Sequence, residues 1–370
     1  MPATDQIFIY QILFSTIAFI LGAVVGSFLN VCIYRMPLDL SVNEPRRSFC
    51  PHCKSQIPFS QNIPLVSWLV LGGKCAKCKA PIPFRYFLVE LLTGLLFLAV
   101  WLRVPWFLAF PYWVLVSLFI VATFIDFDHF IIPDEITWGG VGAGLVLSAA
   151  IPGMMGTDSR LWSVIWSLVG AATGYFILWG VVELGKLAFG KKRMAYENPE
   201  PFDWKREGDD ADVRLGEESM KWSDLFAREK DQLILINTEA EIDGRKIEDP
   251  KLVFHYNRVT ANGGDIALDT IDTIAAKVSE VIIPREAMGF GDVKFIACIG
   301  AFLGWQAVLF TVMSASIVGA VVGVVTIALG KREISAKIPF GPYLALGALI
   351  WMFFGWDIVL WYLEFAGGTS

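Results

Sequence analysis

Charged residues are scarce in this sequence and unevenly placed. Only 18% of the 370 residues are charged, whereas 55% are hydrophobic, and the mean hydropathy is +0.56. Residues 191–285 hold 36 of the 66 charged side chains, so the other 275 residues carry only 15 acidic and 15 basic ones. This scarcity excludes a soluble globular enzyme, a secreted disulfide scaffold and a disordered chain.

Basic residues are also missing before the first apolar run, because residues 1–6 contain neither lysine nor arginine. A cleavable signal peptide would need a positive segment there and a shorter apolar core. The first run is therefore predicted to remain as a membrane helix. We expect the lipid bilayer, and no nucleic acid, among the partners of this chain, whose net charge is −6.

In place of charged residues, the sequence contains long apolar runs. A helix of about 20 apolar residues crosses a bilayer, and runs close to that length occur near residues 7–29, 84–102, 105–125, 136–152, 161–188, 290–306, 307–329 and 339–363. The sixth and seventh are separated only by Gly304, Trp305 and Gln306. We therefore predict an all-α polytopic membrane protein with about eight transmembrane helices.

Lysine and arginine are concentrated in loops that follow odd-numbered runs, and this asymmetry predicts how the helices are oriented in the membrane. The loops that follow even-numbered runs contain only Arg103 and Arg160. Every loop that follows an odd-numbered run, including the one after the third, is thus predicted to be cytoplasmic, with both termini outside. Their basic residues are Arg35, Arg46, Arg47, Lys54, Lys74, Lys77, Lys79, Lys191, Lys192, Arg193, Lys331, Arg332 and Lys337.

Residues 190–285 are predicted to form a small inserted cytoplasmic module of α+β type. Residues 198–224 are polar and resemble a disordered stretch, whereas residues 232–236 and 251–259 alternate as strands do. Residues 266–283 fit a helix or a further strand. The insert contains no catalytic motif, which favours an accessory role.

Four of the six cysteines form two Cys-x-x-Cys pairs, Cys50 with Cys53 and Cys75 with Cys78, separated by 21 residues. Two such knuckles can place four thiolates tetrahedrally around one zinc ion. Two disulfides are the alternative, but the basic residues place this loop in the reducing cytoplasm. Four protein ligands close the coordination sphere, so the predicted zinc is structural.

Acidic residues at the edge of membrane helices are costly and suggest function. Asp126 and Asp128 end the third run, and Asp292 follows Gly289 and Gly291 at the start of the sixth. Two carboxylates that share one proton can act as a hydrolytic dyad, because like charges a few ångströms apart cannot both ionise. These glycines would expose the Asp292 carboxylate to an extended substrate.

The residues themselves leave several alternatives open. Either Asp126 or Asp128 could partner Asp292, and Asp134, which follows a proline, is expected to cap a helix. A proton-coupled transporter could use Asp126 and Asp292 as a relay, although relay carboxylates are expected near the bilayer midplane.

Several short motifs occur in order outside the insert: residues 26–31 with Tyr34 and Arg35, the two cysteine knuckles, residues 62–68, Arg85 and Tyr86 with Glu90, Asp126 with residues 132–134, residues 288–294, and residues 338–342. With these motifs the chain resembles the bacterial type IV prepilin peptidases, a group of Gly-x-Gly-Asp membrane aspartyl proteases. The acidic insert departs from the short loop expected in that family.

The resemblance implies that Asp126 and Asp292 are the catalytic pair, supported by Gly289 and Gly291. It implies that prepilins of type IV pili, or pseudopilins of type II secretion, are cleaved after a leader that ends in glycine. Cleavage would occur on the cytoplasmic side of the bacterial inner membrane. The new N-terminal residue, usually phenylalanine, would then be methylated with S-adenosylmethionine.

The family assignment also divides the chain. Residues 1–104 would be an N-terminal, methyltransferase-associated region, residues 105–189 and 286–370 the two protease parts, and residues 190–285 the insert. No glycine-rich nucleotide loop follows a strand, so the methyl-donor site is unassigned. Asn30, Arg35 and Glu90 are candidates for it, with structural roles equally open. A leader peptidase without methyl transfer, similar to the archaeal preflagellin peptidases, is an alternative, but those enzymes resemble the second half alone.

Overall fold

The computed structural model describes residues 3–45, 48–50, 52–189, 191–208, 210–216, 218–225, 232–249, 251–284, 289–329 and 339–366. Five basic residues used for the orientation and two motif residues lie outside these described residues: Arg46, Arg47, Lys331, Arg332, Lys337, Met288 and Ile338. The chain divides into two compact units, one made of Met1–Gly180 with Met288–Ser370, the other of Val181–Ala287.

Nine α-helices occur in the described part of the chain. They are α1 (Ala3–Arg35), α2 (Val66–Val70), α3 (Phe84–Arg103), α4 (Trp106–His129), α5 (Asp134–Ala150), α6 (Arg160–Phe189), α7 (Trp222–Leu225), α8 (Phe290–Ala328) and α9 (Gly341–Ala366). Among the described residues, six of them (α1, α3, α4, α6, α8 and α9) are long and apolar enough to cross a membrane. The protein is therefore a multi-pass membrane protein.

The predicted number of eight spans is not confirmed. Helix α5 has only 17 residues, and residues 290–326 count as a single candidate span by length and composition. The backbone of Gly304 nevertheless leaves the helical conformation, with φ 81° and ψ 175°. A Cβ atom at Gly300 would lie 2.9 Å from Val308 Cγ2, whereas eight residues of continuous helix span about 12 Å. The chain thus reverses direction inside α8.

Glycines allow the helices to approach each other closely. A Cβ atom at Gly174 of α6 would lie 2.6 Å from the carbonyl oxygen of Ile296 in α8, and one at Gly144 of α5 would lie 2.9 Å from Ala301 Cβ. A Cβ at Gly22 of α1 would lie 2.8 Å from the Cα atom of Gly94 in α3. Without side chains at these crossings the backbones pack directly, as small residues permit in membrane bundles.

Two polar contacts bring helix ends together at one end of the bundle. The backbone N–H of Gly341, where α9 begins, donates a hydrogen bond to Asp126 near the end of α4. Lys294 in the first turns of α8 forms an ion pair with Asp134, the first residue of α5. Four helix termini therefore meet where the predicted catalytic residues lie.

The second unit contains an antiparallel sheet. Its strands are β1 (Lys191–Glu207), β2 (Asp210–Leu215), β3 (Glu218–Lys221), β4 (Leu233–Ile242), β5 (Arg245–Ile247), β6 (Lys251–Phe254), β7 (Arg258–Ala261), β8 (Gly264–Ala267) and β9 (Thr273–Pro284). The strand order is β3-β2-β1-β9-β4-β6-β7-β8, with β5 paired to β4. Phe202 of β1 packs 5.6 Å from Phe254 of β6, measured between ring centroids, so these strands share one core.

The prediction of a disorder-like stretch over residues 198–224 is wrong, because the second part of β1 and all of β2 and β3 lie within it. Phe202 and Trp204 are buried on β1, as are Ala211 and Val213 on β2. This spacing of two residues forms the apolar face of a strand, which the surrounding charged residues obscure. The module was predicted to be of α+β type, but its described residues form mainly strands. The only α-helix among them between the strands is α7, which has four residues.

Candidate active site and cysteine cluster

Asp126 lies in the last turn of α4. The helix ends at His129, and Phe130 adopts a left-handed conformation (φ 54°) in which its N–H bonds to the carbonyl of Asp126. The side chain of Asp126 is 5% exposed, and its Oδ2 accepts a 2.8 Å hydrogen bond from the N–H of Gly341. One carboxylate oxygen of Asp126 is thus held by the backbone at the start of α9.

Asp292 lies in the first turn of α8 and is 7% exposed. Its N–H bonds to the carbonyl oxygen of Gly289 at 3.1 Å, which closes the turn that begins the helix. A Cβ atom at Gly291 would lie 3.3 Å from both the N and Cβ atoms of Ile132. The Gly-x-Gly-Asp segment therefore packs against the loop between α4 and α5.

Ile132 contacts the surroundings of both aspartates. Besides lying against Gly291, its Cδ1 atom would be 3.0 Å from a Cβ atom placed at Gly341, which bonds to Asp126. Ile132 is itself 6% exposed. Asp126 and Asp292, which are 166 positions apart in the sequence, are thus brought to one end of the bundle around a shared apolar residue.

Asp128, the other candidate, has a different environment. It forms an ion pair with Arg85 at the start of α3, and its side chain is 41% exposed. The sequence predicted that Asp134 caps α5, and this prediction is wrong. Pro133 occupies the N-cap position, and Asp134 is the first helical residue. Its Oδ1 instead lies 2.6 Å from Lys294 Nζ, which joins α5 to α8 beside Asp292.

The sulfur atoms of Cys50, Cys53, Cys75 and Cys78 all lie within 4.8 Å of one another. All four are free thiols, and those of Cys50 and Cys78 are 3.8 Å apart. A tetrahedral zinc site with bonds of about 2.3 Å has sulfur atoms about 3.8 Å apart. The donor set and its spacing therefore fit a closed four-thiolate metal site.

The two knuckles have the same backbone geometry. The N–H of Lys54 bonds to the carbonyl of Cys50 and that of Lys79 to the carbonyl of Cys75, and both lysines have positive φ, 55° and 60°. A hydrogen bond to Ser55 lowers the pKa of the Cys53 thiol to about 6, which favours the thiolate that a metal requires. Each pair is thus shaped by its own turn.

A cavity of about 940 Å³ opens between α1, α3 and the knuckles, and Asn30, Arg35 and Glu90 all line it. Their polar atoms also bind the protein itself. Asn30 donates to the carbonyl of Tyr86, and Glu90 Oε2 accepts a 2.7 Å hydrogen bond from the N–H of Leu65. Arg35 donates to three backbone carbonyls of the following loop, those of Ser41, Val42 and Pro45.

The sequence did not single out the aromatic residues that line the same cavity. Tyr34, Trp68 and Tyr86 face it together with Glu90. All three belong to the short motifs noted above, so their membership in those motifs was the available signal. Their common location could not be inferred, because Tyr34 lies on α1, Trp68 on α2 and Tyr86 on α3, far apart along the chain.

Comparisons with known proteins cover both halves of the helical unit. A model of the bacterial peptidase A24 N-terminal domain matches residues 20–104, and a model of the type IV leader peptidase family matches residues 113–196 and 265–324. Residues 197–264, within the β-sheet module, separate the two matched parts of the second model. No solved structure matches the chain.

Curated relatives match over most of the chain. The prepilin leader peptidase/N-methyltransferase of Aeromonas hydrophila is 29% identical, covering 95% of this chain and 94% of the relative. The protein of that name from Pseudomonas aeruginosa is 29% identical over 99% of both chains, and that from Myxococcus xanthus is 44% identical over 49% of this chain and 54% of the relative. With both family models matched in order, the chain belongs to the type IV leader peptidase family.

Proposed function

We propose that this protein cleaves the leader from type IV prepilins or type II secretion pseudopilins and then N-methylates the new N-terminal residue. The observation that carries the proteolytic part is the position of two buried carboxylates, Asp126 and Asp292, around Ile132 at one end of the bundle. The shared name of the relatives supports both parts.

Asp126 and Asp292 would act as an acid–base pair on one water molecule. A deprotonated carboxylate takes a proton from water as its oxygen attacks the scissile carbonyl, and the protonated partner donates to the peptide group. The peptide C–N bond then breaks, which releases the leader acid and a new amine. Gly341 would orient Asp126 through the bond to Oδ2, leaving Oδ1 for the water.

The proposed topology puts this end of the bundle in the cytoplasm of a bacterial cell, with the helices in the inner membrane. The basic residues of the first loop support this orientation, because that loop joins α1 to α3 at the end where Arg85 pairs with Asp128. A single-span prepilin would present its polar leader on the same side.

We also propose eight spans in place of six, counting α5 and dividing α8 at Gly304. Helix α5 is about 26 Å long and residues 290–303 about 21 Å, both below the hydrocarbon thickness of about 30 Å. The chain reversal near Gly304 and the burial of Gly140 against Cys298 support the count. Counting eight spans also keeps the basic loops after α1 and α6 on one side, whereas six spans would put the loop after α6 on the opposite side.

Cys50, Cys53, Cys75 and Cys78 are proposed to hold a structural zinc ion. A filled tetrahedral sphere leaves no open position for a substrate, so the metal would stabilise the loop between α1 and α3. That loop has few large buried side chains: among its described residues, Cys50 is the most fully buried apolar one.

Mass spectrometry of a purified prepilin incubated with this protein and S-adenosylmethionine tests the function directly. Loss of the leader together with a gain of 14 Da per methyl group is the expected result. Leader loss alone would favour a peptidase without methyl transfer. An unchanged prepilin mass, together with proton transport by the reconstituted protein, would favour the transporter.

A further inference from the structure

The loop between α1 and α3 (residues 36–83, here the knuckle loop) exposes large apolar side chains although it lies outside the long membrane helices. Phe59 is 88% exposed and Val70 78%, and Val66 and Leu69 are exposed as well. Val66, Leu69 and Val70 are three and four positions apart, so they share one face of α2, here called its outer face. Trp68, by contrast, lines the cavity. Apolar groups exposed together in this way mark a contact with lipid or with another protein.

Helix α2 is fixed against the first turns of α3. The N–H of Leu65, directly before α2, donates a 2.7 Å hydrogen bond to Glu90 Oε2. The ring of Trp68 packs 5.6 Å from that of Phe84 and 5.3 Å from that of Phe87, measured between centroids. These contacts set the position of α2 along α3.

This position is at the edge of the apolar layer of a membrane. Helix α3 has 20 residues and is about 30 Å long, which equals the hydrocarbon thickness of a bilayer. Its first residue, Phe84, therefore lies at the boundary between hydrocarbon and headgroups. Glu90 lies six residues further, or about 9 Å along the helix. The start of α2 is thus beside the membrane segment, and its outer face is at the depth of the headgroups.

The cysteine knuckles bring positive charge to the same place. The second knuckle packs on α2, because the indole N–H of Trp68 donates to the carbonyl of Ile82 and a Cβ atom at Gly73 would lie 2.9 Å from the Trp68 ring. Residues 45–89 contain neither Asp nor Glu. A four-thiolate zinc centre would carry a charge of about −2, which the lysines more than balance. The exposed lysines of the knuckles are Lys54, Lys74, Lys77 and Lys79.

We propose that the outer face of α2, together with Phe59, enters the headgroup region of the adjacent leaflet while the knuckle lysines bind anionic phospholipid headgroups. Segments with an apolar and a basic side bind membranes through buried apolar area and through attraction to anionic lipids. A bilayer fits better than another protein, because α2 is held beside a membrane helix and the charge of the knuckles complements that of the headgroups. With the proposed orientation this is the cytoplasmic leaflet. The contact holds the knuckle loop at the membrane surface and requires neither leader cleavage nor methylation.

Hydrogen exchange of the full-length, zinc-loaded protein in nanodiscs tests the contact. Discs of phosphatidylcholine are compared with discs of equal parts phosphatidylcholine and phosphatidylglycerol. Residues 65–79 should exchange about threefold more slowly, or slower still, in the anionic discs, because a bound headgroup opposes local opening. Residues 233–254 of the sheet should exchange equally in both. Equal exchange of residues 65–79 in the two kinds of disc would overturn the proposal.

A soluble anion is distinguished from a lipid by adding glycerol 3-phosphate to the phosphatidylcholine discs, which should give no protection. Protection by glycerol 3-phosphate alone would mean that the lysines bind a soluble phosphate, and the proposal would be wrong.

Charge variants test the lysines. Combined Lys74→Gln, Lys77→Gln and Lys79→Gln should remove the difference between the two kinds of disc and leave the zinc content unchanged. Combined Lys205→Gln, Lys246→Gln and Lys251→Gln, which remove the same charge from exposed positions of the β-sheet module, should keep the difference. If the first variant kept the difference and the second lost it, the lysines of the knuckles would not be the lipid contact.

Photo-cross-linking identifies what covers the outer face of α2. With p-benzoylphenylalanine at position 69, irradiation in anionic discs in the presence of prepilin should give adducts with the mass of a phospholipid. Adducts with prepilin, or with a second copy of this chain, and none with lipid would overturn the assignment. Hydrogen exchange of the wild type needs no substitution, so misfolding of a variant cannot decide the outcome.

Discussion

The backbone N–H of Gly341 donates a 2.8 Å hydrogen bond to Oδ2 of Asp126, although the two residues are 215 positions apart. This bond joins the start of α9 to the end of α4 and leaves the second oxygen of Asp126 for the proposed chemistry. It also makes the proposed active end of the bundle dependent on the close approach of a residue without a side chain.

Replacing either aspartate of the proposed dyad with asparagine should abolish leader cleavage. An amide side chain cannot act as a general acid or a general base near neutral pH, and loss of general acid–base catalysis costs about 10²–10⁴-fold in rate. Cleavage of a prepilin by Asp126→Asn and Asp292→Asn can be followed by gel shift. Asp158→Asn, an exposed control in the loop before α6, should cleave normally.

Asp128→Asn gives a second comparison within the same helix. Asp128 is exposed and paired with Arg85, so its loss should reduce cleavage by less than about tenfold, because an exposed ion pair contributes little. If Asp128→Asn were as inactive as Asp126→Asn, the assignment of the dyad would be wrong.

Gly341→Ala should slow cleavage by about 10–100-fold without removing any catalytic group. The added Cβ would lie 2.8 Å from Asp126 Oδ2 and 3.0 Å from Ile132 Cδ1, so the carboxylate must move, and misplacement by about 1 Å can cost 10²-fold. We expect kcat to fall with little change in KM. Gly139→Ala, where a Cβ would meet nothing within 4 Å, should retain wild-type kinetics.

Metal analysis should find one zinc ion per chain in the wild type and none in Cys50→Ser or Cys75→Ser. Serine is a poor zinc ligand, and loss of the metal would also remove its contribution to folding of the loop. The expected consequence is faster proteolysis between α1 and α3. Cys32→Ala, outside the cluster, should keep its zinc; a wild type without zinc would refute the site.

The ion pair between Lys294 and Asp134 should couple α8 to α5. Lys294 is 17% exposed and Asp134 62% exposed, so a double-mutant cycle of Lys294→Met and Asp134→Asn on thermal unfolding should give a coupling energy of about 0.5–1 kcal/mol. Lys294→Arg should preserve most of it. Additive effects would mean that the contact contributes nothing.

Gly170→Ala should lower the free energy of unfolding of the helical unit by about 3 kcal/mol or more, at the upper end of the usual cost of overpacking. A Cβ at Gly170 would overlap the carbonyl oxygen of Gly300 and lie 3.0 Å from the Cα atom of Gly304. Backbone atoms cannot rotate away as side chains can. Thermal unfolding in detergent measures the effect, and Gly180→Ala, which meets nothing within 4 Å, serves as the control in the same helix.

The β-sheet module shows where reasoning from composition was wrong. The abundance of Glu, Asp and Pro in residues 198–224 suggested disorder, yet Phe202, Trp204 and Val213 form part of a buried core. Strand formation depends on alternation of single residues, whereas composition averages over both faces of the strand. The long-range pairing of β1 with β9 has no local signal at all.

The amino-acid sequence by itself determined the membrane class, the two cysteine knuckles and a short set of candidate aspartates, namely Asp126, Asp128 and Asp292. These depend on apolar run length, on turns of a few residues and on acidic side chains at helix ends, all of which are local. Only the tertiary structure decided that Gly341 and Ile132 bring Asp126 and Asp292 to one site, and that Glu90 shares a cavity with Trp68. The physical reason is that membrane helices are apolar on every face, so their sequence carries little information about which face packs against which neighbour.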